Sequence, residues 1–244
     1  MKLNILSDIH LENIKAFDLP PDCSDQCLIL AGDIGYPKSP EYMHFIQKCS
    51  YAFKYVIIIT GNHEYYHEYV HEIDNYIEKE IVPKFKNVYF LQNSSITLEN
   101  VTFWGSTLWS HVPERLYPIV KQYINDFSLI NEMSLSLYND LHTNAIKELK
   151  KLFMRQKNNN EKFVVISHHA PLIKRTSHPK YDGQLTNCVF STDLKDFVQK
   201  PIDLWVYGHT HYSADFVHND VRVVSNALGY PGENKEFKNK IINI

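Results

Sequence analysis

The sequence predicts an α/β fold in which buried parallel strands alternate with amphipathic helices. Short apolar runs recur along the 244-residue chain, and each ends in a cluster of polar, turn-forming residues. Runs of this length that are rich in β-branched residues are typical of strands buried on both faces. Segments with helical apolar spacing lie between them. This alternation along one chain indicates parallel sheets covered by helices.

Five of the apolar runs lead directly into groups of Asp, Asn or His. They cover residues 3–6, 27–31, 55–59, 163–166 and 204–207. We expect each run to be a strand and each polar group to form the loop at its carboxyl end. Loops at the carboxyl ends of strands form the ligand sites of open α/β sheets.

A helix is predicted to begin at Pro40, because Ser39 is a good N-cap and proline is well tolerated in the first helical position. Phe45 and Cys49 follow it at helical spacing. Similar apolar stripes with charged opposite faces predict helices over residues about 64–82 and about 136–156.

Residues 88–110 differ, since β-type segments follow one another at 88–91, 95–98 and 101–104. Two more, at 214–217 and 221–224, flank a hairpin-like turn at Asn219 and Asp220. These additional strands predict two sheets rather than one. The polar residues 157–160 predict a linker, but candidate ligands lie on both sides of it. We therefore expect residues 1–244 to form a single domain.

Composition limits the classes of function. The formal net charge of −3 offers no overall basic field for nucleic acid, which makes nucleic acid an unlikely partner. No apolar run approaches the roughly 18 residues that a membrane span needs. The apolar run after Met1 is too short for a secretory signal, and the four cysteines lack disulfide spacing. We expect a cytoplasmic protein with reduced thiols and no membrane partner.

The polar groups at the five strand ends predict a metal site. A single buried histidine is more often a core residue than a ligand, but five such groups at strand ends are difficult to explain by packing. In Asp8-x-His10 and His209-x-His211 the two side chains point the same way on an extended strand end. The candidate ligands outnumber those that one tetrahedral ion can take, and they suit two ions that share a bridging carboxylate.

The chemistry of the ligands narrows the choice of metal. Carboxylate, amide and imidazole donors suit Mn²⁺, Fe²⁺ or Fe³⁺, or Zn²⁺ better than Ca²⁺. The absence of thiolates argues against a structural zinc finger. We therefore expect two divalent metal ions as cofactors.

The motifs together resemble the signature of the calcineurin-like metallophosphoesterases. The blocks, in chain order, are Asp8-x-His10, Gly32-Asp33, Gly61-Asn62-His63-Glu64, His168 and Gly208-His209-x-His211. The Gly-Asn-His-Glu and Gly-His-x-His blocks are specific in combination, whereas a lone Asp-x-His is weak. The resemblance spans residues 6–211. It implies a four-layer α/β/β/α sandwich with two mixed β-sheets flanked by helices.

The resemblance also implies a role for each site residue. One metal would be held by Asp8, His10, Asp33 and His211. The second would be held by Asp33, Asn62, His168 and His209, so that Asp33 bridges the two ions. The pattern favours His168 over its neighbour His169, which is left with a packing or supporting role. His63 would face the leaving group.

One block departs from the family. Phosphoprotein phosphatases of this family carry Gly-Asp-x-Val-Asp-Arg-Gly, in which the second Asp orients the catalytic histidine and the Arg grips phosphate. Here Tyr36 stands at the position of that Asp, and the Arg is absent. The departure disfavours a protein phosphatase and leaves the residue that orients His63 unidentified. Glu64 and Tyr66 are adjacent candidates.

Other residues could contact a substrate. Lys174 and Arg175 follow His168 in a long loop and are candidates for binding phosphate, although a solvated basic pair explains them equally well. Residues 229–232 either close the site or form an ordinary turn. Three aromatic side chains could stack on a base or sugar, but core packing is the better interpretation: Trp104, Trp109 and Tyr123.

These patterns favour a dinuclear-metal-dependent phosphoester hydrolase, either a phosphodiesterase or a small-molecule phosphatase. A metal-bridged hydroxide would attack phosphorus while His63 assists the leaving group, and Asp33 would hold both ions. The alternatives are a nucleotide pyrophosphohydrolase or a nuclease of the same fold, a non-catalytic scaffold, and a protein that senses or stores metal.

Overall fold

A computed structural model gives the fold and describes residues 1–14, 16–155 and 161–244. The strands are β1 (Lys2–Leu6), β2 (Gln26–Ala31), β3 (Tyr55–Ile59), β4 (Val88–Phe90), β5 (Ser94–Leu98), β6 (Val101–Ser106), β7 (Lys162–Ser167), β8 (Leu204–Tyr207), β9 (Ala214–His218), β10 (Val221–Ser225) and β11 (Lys240–Asn243). The α-helices are α1 (Pro40–Ala52), α2 (Val70–Tyr76), α3 (Tyr117–Tyr123), α4 (Asp126–Leu129) and α5 (Leu135–Arg155). Short 3₁₀ turns cover His63–Tyr65, Val82–Lys84, Glu114–Leu116, Pro179–Tyr181 and Leu185–Val189, and a π-helical turn covers Ile77–Ile81.

The strands form two mixed sheets. The first has the order β11-β1-β2-β3-β4, in which β1 to β4 are parallel and β11 is antiparallel. The second has the order β5-β6-β7-β8-β10-β9, with a parallel centre and antiparallel strands at both edges. The prediction of two sheets is confirmed.

Side-chain alternation along the strands builds four layers. In β2, Ile29 belongs to the cluster between the two sheets, whereas Leu30 packs in the cluster that contains Ile46 of α1. In β7, Ile166 lies between the sheets, whereas Val165 packs in the cluster that contains Leu149 of α5. Successive residues of a strand point to opposite faces, so each central strand must be apolar on both. The α/β/β/α sandwich is therefore confirmed.

Helix α1 begins as predicted. The hydroxyl of Ser39 accepts a hydrogen bond from the backbone N–H of Tyr42 at 3.2 Å, and Pro40 occupies the first turn. The single helix predicted over residues about 64–82 is wrong, because the segment divides into a 3₁₀ turn, α2 and a π-helical turn. The interruption falls at His67, whose φ of 68° is left-handed and whose N–H donates to the carbonyl of Leu129. This tertiary contact overrides the local apolar periodicity.

Some elements were not predicted, namely α3, α4 and β11. Strand β11 pairs antiparallel with β1, and Ile242 is opposite Leu3. Ile242 is its one buried residue, so the apolar pattern of this edge strand is too weak to identify it from sequence. The predicted linker at 157–160 lies outside the described residues. Within the described ranges, no helix has the length and apolarity that a membrane crossing requires.

Candidate metal centre

The candidate ligands converge at the carboxyl ends of five parallel strands. In the first sheet, β1 leads to Asp8 and His10, β2 to Asp33, and β3 to Asn62. In the second sheet, β7 leads to His168, and β8 leads to His209 and His211. The structure therefore brings together all seven residues that the motifs predicted. Most are buried: Asp8, His10 and His168 have no exposed surface, and Asp33 and Asn62 are 2% and 4% exposed.

One group of ligand atoms comes from Asp8, His10, Asp33 and His211, which each offer an atom within 4.8 Å of the others. The Nε2 atoms of His10 and His211 lie 3.0 Å apart. Two imidazole nitrogens bound to one ion at bond lengths of about 2.1 Å and an angle near 90° would be separated by about 3 Å. This spacing suits a shared metal ion.

A second group comes from Asp33, His168 and His209, again with ligand atoms within 4.8 Å of one another. His168 Nε2 lies 3.3 Å from Asp33 Oδ2 and 3.2 Å from Asn62 Oδ1. Asp33 is thus common to both groups. A carboxylate has two oxygens, so one side chain can contact two ions at once.

Left-handed backbone conformations concentrate at these ligands. Asp8, His10, Asp33, His209 and His211 all have φ between 49° and 68°. Non-glycine residues rarely adopt this region, and such conformations cluster at functional sites, where the surrounding structure maintains them. At Asp8-x-His10 and His209-x-His211 this left-handed backbone replaces the extended strand end that the spacing predicted.

Each candidate histidine ligand uses its other ring nitrogen to donate a hydrogen bond. The acceptors are carboxylates for His10 and His211 and backbone carbonyls for His168 and His209. The pairs are His10 Nδ1 with Glu12 (2.9 Å), His211 Nδ1 with Glu233 (2.6 Å), His168 Nδ1 with Ala31 (2.9 Å) and His209 Nε2 with Val189 (3.2 Å). This arrangement is typical of metal-binding histidines, because it orients each ring and directs the opposite nitrogen toward the cluster of candidate ligands.

The side-chain amide of Asn62 is oriented in the same way. Its Nδ2 donates to Asp126 Oδ1 at 2.8 Å and to Tyr66 Oη at 3.0 Å. These hydrogen bonds identify Nδ2 as the donor end of the side-chain amide. They direct the carbonyl oxygen Oδ1 toward His168. Asp126, on α4, was not identified from sequence because that region has no clear periodicity.

His63 lies beside the cluster and not within the groups that share Asp33. Its Nδ1 donates to Glu12 Oε1 at 3.0 Å, and Tyr230 Oη lies 3.3 Å from Nε2. Burial lowers the pKa of His63, but the negative charges of Asp33 and Glu12 outweigh it and raise the pKa to about 9. In the protein without metal ions, these charges favour the protonated imidazole at neutral pH.

Glu12 is the residue that orients His63, a function that sequence reasoning left open between Glu64 and Tyr66. Burial raises the pKa of Glu12, but hydrogen bonds from His10 and His63 dominate and lower it to about 2. Glu64 instead accepts backbone N–H bonds from Asp33, Ile34 and Gly61 at 2.7 to 2.9 Å. Glu64 thus joins two ligand loops. The position of Glu12, two residues after His10, was the one available signal in the sequence.

His169 is fully buried in a separate environment. Its Nδ1 donates to the carbonyl of Thr107 at 3.2 Å, and its Nε2 lies 3.3 Å from the hydroxyl of Tyr138. Burial and the neighbouring His168 lower its pKa well below the ordinary value. Both ring nitrogens have protein partners, which leaves His169 no free donor atom for a metal.

The residues considered for substrate contact are dispersed. Lys174 and Arg175 are exposed and are not among the described residues that line the cavity beside the cluster, and the guanidinium of Arg175 lies 4.1 Å over the ring of Phe216. Their substrate-binding role stays a prediction. Trp104 and Trp109 are core residues, as expected, whereas Tyr123 is 68% exposed and lines the cavity. The 229–232 turn brings Tyr230 to His63.

Comparisons with known proteins identify the family. The model of the calcineurin-like phosphoesterases matches residues 1–213. An uncharacterized protein of Acanthamoeba polyphaga mimivirus is 31% identical over 261 residues, and the match covers 96% of this chain and 93% of that protein.

Solved structures share the fold. The phosphopantetheinyl hydrolase from Mycobacterium tuberculosis matches with a TM-score of 0.72 at 20% identity, over 97% of this chain and 92% of that one. A dimetal phosphatase from Danio rerio matches with a TM-score of 0.51 at 11% identity, over 92% of this chain and 86% of that one. The family match confirms the resemblance seen in the motifs, and the chain belongs to the calcineurin-like phosphoesterase family.

Proposed function

We propose that the protein is a dinuclear-metal-dependent phosphoester hydrolase that acts on a small phosphorylated substrate. The observation that carries the proposal is the sharing of Asp33 by both groups of candidate ligand atoms. One carboxylate between two sets of imidazole and oxygen donors is suited to bridging two ions. Membership of a phosphoesterase family supports the same reading.

In this proposal the first ion is held by Asp8, His10, Asp33 and His211. The second is held by Asp33, Asn62, His168 and His209. The donor set of imidazoles, carboxylates and one amide oxygen, without thiolate, supports Mn²⁺, iron or Zn²⁺. In each of the four histidines one ring nitrogen is hydrogen-bonded to a carboxylate or carbonyl and the other is left for a metal ion, which supports these assignments.

Two divalent ions held by these residues would lower the pKa of water and neutralise charge on the phosphoryl oxygens. The chain itself supplies the proton for the leaving group. Because Nδ1 of His63 donates to Glu12, the transferable proton is on Nε2. The hydrogen bond to Glu12 and the negative charge of Glu12 would hold that proton in place until an alkoxide develops beside it.

A combined metal and activity measurement tests the proposal. Metal-free protein is loaded with Mn²⁺, Ni²⁺, Fe²⁺ or Zn²⁺, and its hydrolysis of bis(p-nitrophenyl) phosphate is compared with that of p-nitrophenyl phosphate. Elemental analysis should find two ions per chain in the active forms. Asp33→Asn should lose both metal and activity, whereas Asp140→Asn, on the exposed face of α5, should retain both. Inactivity toward both esters with all four metals would contradict the proposal and favour a scaffold.

The ratio of the two rates distinguishes a phosphodiesterase from a phosphatase. The Mycobacterium tuberculosis neighbour is named for the phosphopantetheinyl group, a small phosphorylated molecule, and a substrate of that size is included in our proposal.

We also propose that residues 1–244 form one domain. Pairing of β11 with β1, and a hydrogen bond from the Met1 amino group to the Ile244 carbonyl at 3.0 Å, support it.

A further inference from the structure

A cavity of about 590 Å³ opens beside the metal cluster and extends well beyond the candidate ligands. One wall is the end of α3 and the residues after it, including Ile119, Tyr123 and Asn125. Another part of the lining comes from the loop between β7 and β8, including Tyr181 and Phe190. His63 also lines the cavity, so a group bound there would be attached to the phosphorus on the side of the leaving group.

Among the described residues, the cavity offers few partners to a second anionic group, because its protonated His63 is assigned to the leaving group. Among the described residues that line it, none is Lys or Arg, whereas Asp33, Asp126 and Glu233 are carboxylates. Lys180 lines a neighbouring cavity of about 560 Å³, and its ammonium lies 4.7 Å over the ring of Tyr181. An additional phosphate or carboxylate in the cavity would lose hydration without gaining a lysine or arginine partner from the described lining.

Large apolar and aromatic side chains of the cavity lining are exposed to solvent. Ile119, Tyr123 and Tyr181 are 37%, 68% and 41% exposed. Large exposed side chains grouped around a concavity are typical of ligand sites, because a bound apolar group covers them. Rings in both parts of the lining favour a partly apolar organic group.

A serine whose buried hydroxyl has no partner among the described residues also lines the cavity. Ser177 lines the cavity and is 5% exposed. Its hydroxyl has no hydrogen-bond partner among the described residues. Buried hydroxyls are nearly always hydrogen-bonded, and leaving one unpaired costs free energy. A ligand with an amide or hydroxyl group would satisfy it.

We infer that the organic group of the substrate is a partly apolar alcohol that carries a hydrogen-bonding amide or hydroxyl and no second anionic group. The inference rests on the proposed function and specifies its substrate class. Phosphoryl oxygens bind at the metal cluster, the alcohol lies between α3 and the loop after β7, and the polar group of the alcohol meets Ser177. Nucleotides with further phosphates and nucleic acid fall outside this class.

Matched esters test the inference. The phosphoester of N-(2-hydroxyethyl)benzamide is neutral beyond its phosphoryl group, its 4-carboxy derivative adds one anion, and its 4-trimethylammonio derivative adds one cation. Each is supplied as monoester and as methyl diester, and release of the alcohol is measured by chromatography. We expect kcat/KM for the neutral ester to exceed that of the carboxylate by about tenfold or more. A carboxylate ester hydrolysed as well as the neutral one, or better, would overturn the inference.

Variants locate the discrimination in the cavity. Tyr123→Lys places an ammonium in the exposed wall and should lower the ratio of neutral to carboxylate kcat/KM several-fold. Tyr51→Lys, on an 80% exposed tyrosine of α1 away from the cavity, is the matched control and should leave the ratio unchanged. If the ratio of neutral to carboxylate kcat/KM is the same in the two variants, the discrimination against anions does not arise in this cavity.

Ser177→Ala tests the polar contact. It should lower kcat/KM for the benzamide ester about fivefold, the value of one net hydrogen bond, and lower that of a 3-phenylpropyl ester much less. Equal losses on the two esters would refute a role for Ser177 in recognising the amide.

Two readouts separate this inference from the proposed function. Binding of non-hydrolysable phosphonate analogues is measured by calorimetry with the metal-loaded wild-type protein. If bis(p-nitrophenyl) phosphate is cleaved but the neutral analogue binds no better than the anionic one, the substrate class is wrong and the proposed function stands. If the neutral analogue binds selectively but no ester is cleaved, the proposed function fails and the cavity retains its preference.

Discussion

Glu12 Oε1 accepts a hydrogen bond from His63 Nδ1 at 3.0 Å, and the same oxygen lies 2.9 Å from His10 Nδ1. One carboxylate thus connects the candidate general acid with a candidate metal ligand. When Asp33 binds metal, Glu12 is the carboxylate that still stabilises the imidazolium of His63. We expect Glu12→Ala to lower kcat by about 10- to 100-fold at saturating metal, the usual effect of removing such a partner.

Glu12→Gln separates charge from geometry, because the amide oxygen can still accept a hydrogen bond. The negative charge that helps raise the pKa of His63 to about 9 is then lost, so this pKa falls. A general acid works only while protonated. The alkaline limb of the profile of kcat against pH should therefore move to lower pH in the variant. An unchanged limb would show that Glu12 does not act through His63.

His63 and Asp33 should differ in their effect on metal content. His63→Ala is expected to retain two ions per chain while kcat falls by about 10²- to 10⁴-fold, the range for general acid catalysis. Asp33→Asn should lose both ions, because both groups of ligand atoms depend on it. Elemental analysis of folded protein measures the difference. Metal loss in His63→Ala would place His63 among the ligands.

The adjacent histidines offer a matched pair. His168→Ala should lose one ion and nearly all activity, since its Nε2 faces Asp33 at 3.3 Å. His169→Ala should keep both ions and melt at a lower temperature, because it leaves a space in the core and breaks bonds to Thr107 and Tyr138. Metal content and melting temperature are measured on the same samples, and the reverse outcome would reassign the ligand.

Gly61 should tolerate no side chain. A Cβ there would collide with the carboxylate of Asp33 and the ring of His168. We expect Gly61→Ala to reduce metal occupancy strongly. Gly183→Ala is the control: its φ of 77° makes alanine strained, but the position is open, so stability falls while metal content is unchanged. Full occupancy in Gly61→Ala would mean that the loop after β3 can move.

Asp74 gives a pH dependence of stability away from the metal cluster. Its Oδ1 accepts from Tyr65 Oη at 2.7 Å, and burial raises its pKa from 3.8 to about 6. The folded state therefore binds the proton more tightly than the unfolded state, and this group's contribution to stability declines as pH rises from about 4 to about 6. The melting temperature of Asp74→Asn relative to wild type should rise across this window.

Asp215 provides a comparison of opposite sign. Its hydrogen bonds with Arg222 lower its pKa, so the group contributes stability that is lost as pH falls through the folded pKa. The melting temperature of Asp215→Asn should therefore fall further below that of the wild type as pH rises from strongly acid values. A difference between Asp74→Asn and wild type that stays constant from pH 4 to 7 would contradict the predicted titration of Asp74.

Local sequence determined the central strands and the residues at their ends. An apolar run buried on both faces needs no information from elsewhere in the chain, and β3 and β8 have the predicted bounds. The polar residues after such runs must lie at the edge of the sheet. For the same reason the sequence alone predicted that the candidate metal ligands lie at the edge formed by the strand ends.

The tertiary structure determined which residues form hydrogen bonds with the side chains of the site. Glu12, Asp126 and Glu233 act through hydrogen bonds to residues that are as far as 64 positions away in the chain. The break at His67 depends on a carbonyl of Leu129, and β11 exists because β1 offers it an edge. Hydrogen bonds between distant segments depend on how the layers pack, and the apolar periodicity of the sequence does not reveal that packing. The sequence alone thus determined the strand-end ligands and the sandwich that holds them. Only the folded chain decided how those ligands are oriented and what shape of substrate can reach them.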